Sequence, residues 1–122
     1  MKRKNNILLG GKGESIATRY LSDKGYKILE RNFKKRYGDI DIVAQTGDTL
    51  IFVEVKTRTS DEYGGGEEAI NRAKIYRLTK AAQYYKHAKN LADVSMRIDL
   101  ISIYLDYSGE TYKINHYENI TG

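Results

Sequence analysis

Hydrophobic positions recur at helical spacing in two parts of the chain, and elsewhere they alternate or run together. The spacing predicts a first helix from about Gly13 to Lys24, and Gly25 can take the left-handed conformation that ends a helix. A second helix is predicted from about Glu67 to Asn90. Strands are predicted at residues 26–33, 40–44, 50–55, 96–105 and 111–118. The pattern therefore indicates one α/β domain with the element order α-β-β-β-α-β-β.

A β-hairpin is predicted near the middle of the chain. Two apolar runs, Ile40–Ala44 and Leu50–Val55, flank Gly47-Asp48. This dipeptide suits a two-residue turn because glycine tolerates a positive φ. If it forms the turn, Thr46 faces Thr49, and the register of the whole hairpin follows from that pair.

Charged residues interrupt both of these otherwise apolar strands. In the predicted register Asp41 lies opposite Glu54, and Asp39 lies opposite Lys56. Because side chains alternate along a strand, all four would share one face of the sheet, and the other face would carry Ile40, Ile42, Val53 and Val55. Facing carboxylates repel, so a divalent cation between Asp41 and Glu54 would offset the cost. Carboxylate ligands without His or Cys favour Mg²⁺ or Mn²⁺ over zinc.

These charges have a second explanation. Acidic residues at a strand edge are often solvated, and Glu54 with Lys56 could belong to a surface ladder of ion pairs. The segment Leu50–Val53 favours the first explanation because it is apolar on both faces, which is typical of an interior strand covered on each side. Charges that continue such a strand are costly unless the protein uses them.

The same residues carry a resemblance to a superfamily of enzymes. Gly38-x-Ile40-Asp41 followed by Glu54-Val55-Lys56 is similar to the core of the PD-(D/E)XK nucleases, which include restriction enzymes and archaeal Holliday-junction resolvases. Over most of its length the chain resembles the small bacterial YraN-like family. That resemblance rests on Gly10-x-x-Gly13-Glu14-x-x-Ala17, Arg31-Asn32, Gly38-Asp39-Ile40-Asp41, Phe52-Val53-Glu54-Val55-Lys56-Thr57-Arg58, Lys74 and Arg97-x-Asp99.

The resemblance implies a fold. It is a restriction-endonuclease-like core, with a central mixed five-stranded sheet flanked by helices, formed as a single domain by residues 1–122. The chain departs from the pattern in two places. Asp39 stands where the family usually has glutamate, and the proline in the superfamily's label has no counterpart, because the chain contains no proline. Neither departure removes an expected metal ligand.

The resemblance also implies roles for the site residues. Asp41, Glu54 and the carbonyl of Val55 would hold Mg²⁺ or Mn²⁺. Lys56 would orient and help deprotonate the attacking water, or stabilise the transition state. Glu14 would complete the acidic site from the first helix. The position of Glu14 alone has another explanation, since an acid in the first turn of a helix favours the positive end of its dipole.

The charge of the chain is modestly positive, with 21 Lys and Arg residues against 16 acids and a net charge of +5. Clustered basic residues suit the phosphate backbone of DNA, although a similar excess occurs in proteins that bind no nucleic acid. The residues expected to contact DNA are Lys34, Lys35, Arg36, Arg58, Lys74 and Arg77. For Lys74 the resemblance adds that the corresponding helix often sends a lysine or a glutamine to the active site. Four tyrosines could either stack on bases or pack at the margin of the core, namely Tyr63, Tyr76, Tyr84 and Tyr85.

Other features narrow the class of protein. The chain has no cysteine, which excludes disulfides and thiolate metal sites. No apolar run approaches the roughly 20 residues that cross a bilayer, and the start is too weakly apolar for a signal peptide. We therefore expect a cytoplasmic protein with no membrane partner. Residues 1–9 are expected to be a flexible basic N-terminus, and the glycine-rich segment 59–66 to be a mobile flap or a plain connection.

Two functions that involve nucleic acid are consistent with these features, and a purely structural or protein-recruiting role is a third possibility. The first is a Mg-dependent endonuclease that hydrolyses DNA phosphodiester bonds, with selectivity for branched DNA and a homodimeric arrangement as further expectations. The second is a noncatalytic nucleic-acid-binding module that keeps the nuclease-like fold and acts with a partner. Outside the site, Arg97 and Asp99 are expected to form an internal ion pair. No chemical role is expected of His87 or His116, which lack metal-ligand spacing.

Overall fold

The computed structural model describes residues 2–36, 38–59, 70–106 and 112–121. Within these ranges the chain forms two helices and five strands, in the predicted order: α1 (Lys2–Asp23), β1 (Lys27–Lys35), β2 (Gly38–Thr46), β3 (Thr49–Thr59), α2 (Arg72–Ala88), β4 (Ser95–Leu105) and β5 (Tyr112–Tyr117). In the described ranges neither helix combines the length and the hydropathy that a membrane-spanning segment needs.

The helix starts differ from the predicted ones. α1 begins at Lys2, well before Gly13, because the prediction followed only the apolar stripe and a helical backbone can continue without one. The predicted flexibility of residues 1–9 stays a prediction. α2 begins at Arg72 because the extended residue Asn71 caps it, its side chain accepting a hydrogen bond from the Lys74 N–H at 2.9 Å. Residues 60–69, with Tyr63 and most of the predicted flap, lie outside the described residues.

The strands form one mixed five-stranded sheet in the order β1-β2-β3-β4-β5, as expected. Every neighbouring pair is antiparallel except β3 and β4, which run parallel. A parallel pair needs a crossover connection, and α2 lies within it. The sheet therefore has β3 at its centre, with β2 on one side and β4 on the other.

The two helices cover opposite faces of the sheet. Alternate residues of β3 belong to two different hydrophobic clusters, with Phe52 packing beside Leu78 of α2 and Val53 packing beside Leu21 of α1. Residues 50–53 are at most 1 % exposed, which confirms the prediction of an interior strand covered on both sides. We call the two sides of the sheet the α1 face and the α2 face.

The hairpin between β2 and β3 has the predicted register next to its turn. Gly47 takes a φ of 56°, and the pairs run from Thr46 and Thr49 to Ile42 and Val53. Local turn chemistry was enough to predict these pairs, because a two-residue loop leaves the flanking strands one way to face each other.

Beyond Ile42 and Val53 the predicted register is wrong. Asp41 and Glu54 are not a ladder pair, nor are Asp39 and Lys56, because β2 and β3 separate here. β2 continues along β1, whereas β3 continues along β4. The Val55 N–H donates to the Asp41 carboxylate at 2.8 Å rather than to a backbone carbonyl of β2. We call this point of separation the fork.

One predicted face is also wrong. Ile40 packs on the α2 face with Val43, not on the α1 face with Ile42. The reason lies in β1, where Asn32 takes a left-handed φ of 54° between Arg31, which pairs with Ile42, and Phe33, which pairs with Ile40. A left-handed residue breaks the alternation of side chains, and asparagine tolerates that conformation better than most residues do. The backbone at Asn32 therefore changes the facing of both strands next to the fork.

Candidate functional site

The fork brings two acidic side chains together. Glu54 is 6 % exposed, and Asp41 is half-buried beside it. Burial, followed by the negative charge of Glu54, raises the pKa of Asp41 from 3.8 to about 6, although the hydrogen bond from Val55 acts in the opposite direction. A hydrogen bond with Glu54 raises the Asp41 pKa further, because it requires a proton between the two carboxyl groups. The pair therefore carries negative charge that the fold compensates only in part.

Lys74 supplies one compensating charge from α2. Its Nζ lies 3.2 Å from Oε2 of Glu54, and its side chain is 35 % exposed. The Asn71 cap fixes the first turn of α2, which places Lys74 over the fork. The structure thus brings Lys74 to the acidic pair, as the resemblance implied.

Next along the sheet lie Lys56 and Ser102, and no pattern in the sequence indicated a role for the serine. Lys56 follows Glu54 by two residues on β3, so both project from the α2 face, and Lys56 is partly buried. In the parallel register it lies beside Ser102 of β4. Within the described part of the chain the buried Ser102 hydroxyl has no hydrogen-bond partner. A buried hydroxyl in this state favours a water or a ligand atom nearby.

Glu14 does not join the acidic pair. Its side chain is 12 % exposed, and its Oε1 lies 3.2 Å from Nη2 of Arg31. In the described ranges no three His, Asp or Glu side chains form a group that could hold a metal ion. α1 does approach the end of β3, since a Cβ at Gly13 would overlap the hydroxyl of Thr57. Glu14 is therefore held near β3 by close packing, and Arg31 is its partner.

The basic residues predicted to contact DNA fall into two groups. Lys34, Lys35 and Arg36 are exposed at the end of β1, and Arg77 is exposed on α2. These elements lie close together, since the Lys35 Nζ is 5.6 Å from the ring centroid of Tyr84 on α2. Gly38 allows the approach, because a Cβ there would lie 3.0 Å from the carbonyl oxygen of Arg77. Arg58 forms the second group and is partly buried on β3.

A second polar cluster on the α1 face was only partly predicted. The internal ion pair is confirmed, with Arg97 Nε 3.1 Å from Oδ1 of Asp99. His116, for which no chemical role was expected, has a structural contact. Its Nε2 lies 2.8 Å from Oδ2 of Asp99, and the Asn119 N–H donates to the same carboxylate. Burial would raise the Asp99 pKa, but the hydrogen bonds from His116 and Arg97 outweigh it and lower that pKa below 3.8. We call these residues the Asp99 cluster.

Further contacts tie the Asp99 cluster to the rest of the fold. The Tyr20 hydroxyl lies 3.1 Å from His116 Nδ1, and the Arg97 guanidinium donates to the Tyr26 hydroxyl at 2.7 Å. The only sequence signal for His116 was its alternation with Ile114 on β5, which places both on the α1 face. The arrangement is a structural brace that joins α1, β4 and β5.

Comparison with known proteins gives a consistent family. The model of the family described as uncharacterised protein family UPF0102 matches residues 13–103. A UPF0102 protein of Caldanaerobacter subterraneus subsp. tengcongensis is 44% identical over 120 residues, 98% of each chain. Another, of Geobacter metallireducens, is 47% identical over 115 residues, covering 94% of this chain and 93% of that protein. Both the matched residues and the coverage include the fork, so the chain belongs to the UPF0102 family, in agreement with its resemblance to YraN-like proteins.

Proposed function

We propose that the protein is a Mg²⁺- or Mn²⁺-dependent endonuclease that hydrolyses DNA phosphodiester bonds. The observation that carries this proposal is the incompletely compensated pair of Asp41 and Glu54, which raises the Asp41 pKa to about 6. A fold gains no stability from a buried carboxyl group beside a half-buried one, and shifted pKa values cluster at functional sites. In this proposal the two carboxyl groups destabilise the fold because they are placed to bind a cation.

The donor atoms at the fork fit a hard divalent cation. Asp41, Glu54 and the carbonyl of Val55 would hold it, and all three supply oxygen, the ligand that Mg²⁺ prefers. When bound, the ion would lower the pKa of a coordinated water and stabilise charge on the scissile phosphate. One or two carboxylates are an ordinary number for protein-bound Mg²⁺, so a third acid is not required.

The neighbouring lysines would act on the substrate. Lys56, on the same strand and face as Glu54, would hold the attacking water and stabilise negative charge in the transition state. Lys74 neutralises Glu54 in this structure. Once a cation takes over that role, Lys74 would be free to contact a phosphate. Glu14 would support the acidic site only if Arg31 released it.

The expected substrate is DNA because basic residues border the fork. Exposed Lys34, Lys35, Arg36 and Arg77 would contact phosphates, and Arg58 would do so from the end of β3. In a chain of 122 residues these contacts leave little room for reading bases, which favours recognition of DNA structure over sequence.

A second candidate function is a noncatalytic nucleic-acid-binding module that acts with a partner. Two ion pairs favour it, because Lys74 already neutralises Glu54 and Arg31 already neutralises Glu14. A fold that supplies its own cations needs no metal at these positions. This alternative keeps the basic surface and assigns no reaction to the fork.

The deciding experiment compares cleavage of labelled single-stranded, linear duplex, flapped and four-way-junction DNAs in Mg²⁺ and in Mn²⁺. The wild-type protein is tested beside Glu54→Gln, which keeps the shape of the side chain, and Asp48→Asn, a matched control at the exposed hairpin turn. Cleavage by the wild type and by the control, lost in Glu54→Gln, is the expected result. Equal cleavage by all three proteins would reject the assigned site, and binding without cleavage by any of them would favour the noncatalytic module.

A further inference from the structure

α2 has a charge pattern that helix stability does not explain. Its 17 residues include no Asp or Glu, and its five Lys and Arg residues are Arg72, Lys74, Arg77, Lys80 and Lys86. Two of these, Arg72 and Lys74, lie in the first turn, where the helix dipole disfavours positive charge. Without acids on the helix, no Glu–Lys pairs along its surface offset this cost. The pattern is typical of a surface that meets a polyanion.

The same helix carries the exposed aromatic rings. Among the described residues, the exposed large hydrophobic side chains are Tyr76, at 62 %, and Tyr84, at 40 %. They are eight positions apart with Lys80 midway, so all three side chains lie along one row of the helix surface. At 1.5 Å per residue the two tyrosines are roughly 12 Å apart along the axis. We call Tyr76, Lys80 and Tyr84 the tyrosine row.

A cation accompanies each ring of the row. The Lys80 Nζ lies 5.4 Å from the ring centroid of Tyr76, and the Lys35 Nζ lies 5.6 Å from that of Tyr84. Rings paired with cations suit single-stranded nucleic acid, whose bases stack on aromatic faces while its phosphates meet the cations. A buried protein interface is less well matched, because lysine is depleted at the core of such interfaces.

The geometry points to a substrate class. We propose that the tyrosine row binds unpaired bases of a single-stranded DNA segment, with Lys35, Lys80 and Arg77 on its phosphates. A duplex keeps its base faces inside the stack, so only unpaired bases can reach the rings. Tyr76 lies two residues from Lys74, which contacts Glu54, so the row begins at the end of α2 that lies nearest the fork. This inference rests on the proposed function and narrows its substrate to DNA with an unpaired segment, such as a flap or an overhang.

The test measures binding alone, so that it does not depend on catalysis. The protein carries Glu54→Gln and is kept in EDTA, and fluorescence anisotropy follows its binding to a labelled single strand, an abasic strand of equal length and a blunt duplex at one salt concentration. The expected result is that the single strand binds at least tenfold more tightly than the abasic strand, which keeps the phosphates but lacks the bases to stack. Equal affinity for the two strands would overturn the inference without any tyrosine being changed.

Variants then locate the binding surface. Tyr76→Ala with Tyr84→Ala is expected to weaken single-strand binding at least tenfold while changing duplex binding less than twofold. Tyr76→Phe with Tyr84→Phe keeps both rings and is the matched control, expected to bind as the parent protein does. Thermal melting checks that each variant folds. Parental single-strand affinity in the alanine variant, or an equal loss for the duplex, would overturn the inference, as would failure of the parent to bind a single strand at all.

The endonuclease proposal and the tyrosine-row proposal can be rejected independently of each other. Selective binding of the single strand, combined with no cleavage of any DNA by the wild-type protein in metal, would reject the endonuclease and keep the tyrosine row. Cleavage lost in Glu54→Gln but unaffected by the alanine changes on every substrate, together with equal binding of the normal and abasic strands, would keep the endonuclease and reject the row.

Discussion

Asp99 is fully buried and Asp41 is half-buried in the same sheet, yet their pKa values move in opposite directions. Burial raises the pKa of both carboxyl groups. At Asp99 the hydrogen bonds from His116, Arg97 and the backbone of Asn119 outweigh burial and lower the pKa. At Asp41 the neighbour is another carboxyl group, Glu54, and the pKa rises to about 6.

The difference separates a stabilising site from a costly one. The Asp99 cluster satisfies its buried charge with hydrogen-bond donors from three parts of the chain, so it strengthens the fold. The fork places like charges together and relies on Lys74 for partial compensation. Selection for stability alone would not favour the pairing of Asp41 with Glu54. We therefore propose a function for the fork, whereas the contacts of the Asp99 cluster are those of a structural site.

The largest effect on stability should come from removing the charge of Asp99, which is fully paired with hydrogen-bond donors. Asp99→Ala removes the carboxylate from the buried His116 ring and from the partly buried Arg97, so it should lower the free energy of unfolding by about 3–5 kcal/mol. In a thermal melt followed by circular dichroism this corresponds to a drop of roughly 10–20 °C. Asp48→Asn is the control and should melt with the wild type. A drop at Asp99 no larger than that of the control would mean that the cluster is not a brace.

Removing the incompletely compensated charge of Asp41 should change the free energy of unfolding in the opposite direction. Asp41→Asn keeps the shape and eliminates the repulsion with Glu54, so at pH 7.5 it should raise the free energy of unfolding by about 1–3 kcal/mol, at 1.36 kcal/mol per unit of pKa shift with allowance for partial exposure. The same variant should lose cleavage. Urea denaturation at pH 7.5 measures the gain, and a clear loss of stability would contradict the origin that we give for the Asp41 pKa.

The pH dependence should sharpen the comparison. The Asp41 pKa is 3.8 in the unfolded chain and about 6 in the folded one, so the folded state holds the extra proton between these values and loses stability as pH rises through them. The difference between Asp41→Asn and wild type should therefore be near zero below about pH 4 and complete above about pH 6. Asp99 acts the other way, because its contribution is present above 3.8 and is lost as pH falls below that value. Urea titrations from pH 3 to pH 8 give both trends, and a difference that does not vary with pH would contradict them.

The smallest effect on the free energy of unfolding should come from a divalent cation, because a bound cation would compensate the charge at the fork. Mg²⁺ at the fork would compensate the charge of Asp41 and Glu54, so millimolar Mg²⁺ should raise the free energy of unfolding of the wild type by about 1 kcal/mol. Asp41→Asn, which removes the negative charge of one ligand, should respond less. Thermal melts with MgCl₂ or with an equal ionic strength of KCl separate specific binding from screening. The same shift in both salts would argue against a metal site.

Part of this structure could be read from local sequence. Gly47-Asp48 predicts the turn and with it the five ladder pairs from Thr46 and Thr49 to Ile42 and Val53. The two-sided apolar run of Leu50–Val53 predicts the central strand. The resemblance added the family and the approach of Lys74 to the fork, which position along the helix alone does not predict.

The sequence by itself determined the element order, the turn and the residues that could carry charge into the sheet, because these depend on propensity and spacing over a few residues. Tertiary structure alone decided where the two central strands part, which face Ile40 takes after the left-handed Asn32, and which acid received partners. His116 lies 17 positions from Asp99, and Tyr26 lies 71 positions from Arg97. No local pattern connects residues so far apart in the chain, and the sign of a buried carboxyl group's pKa shift depends on those neighbours.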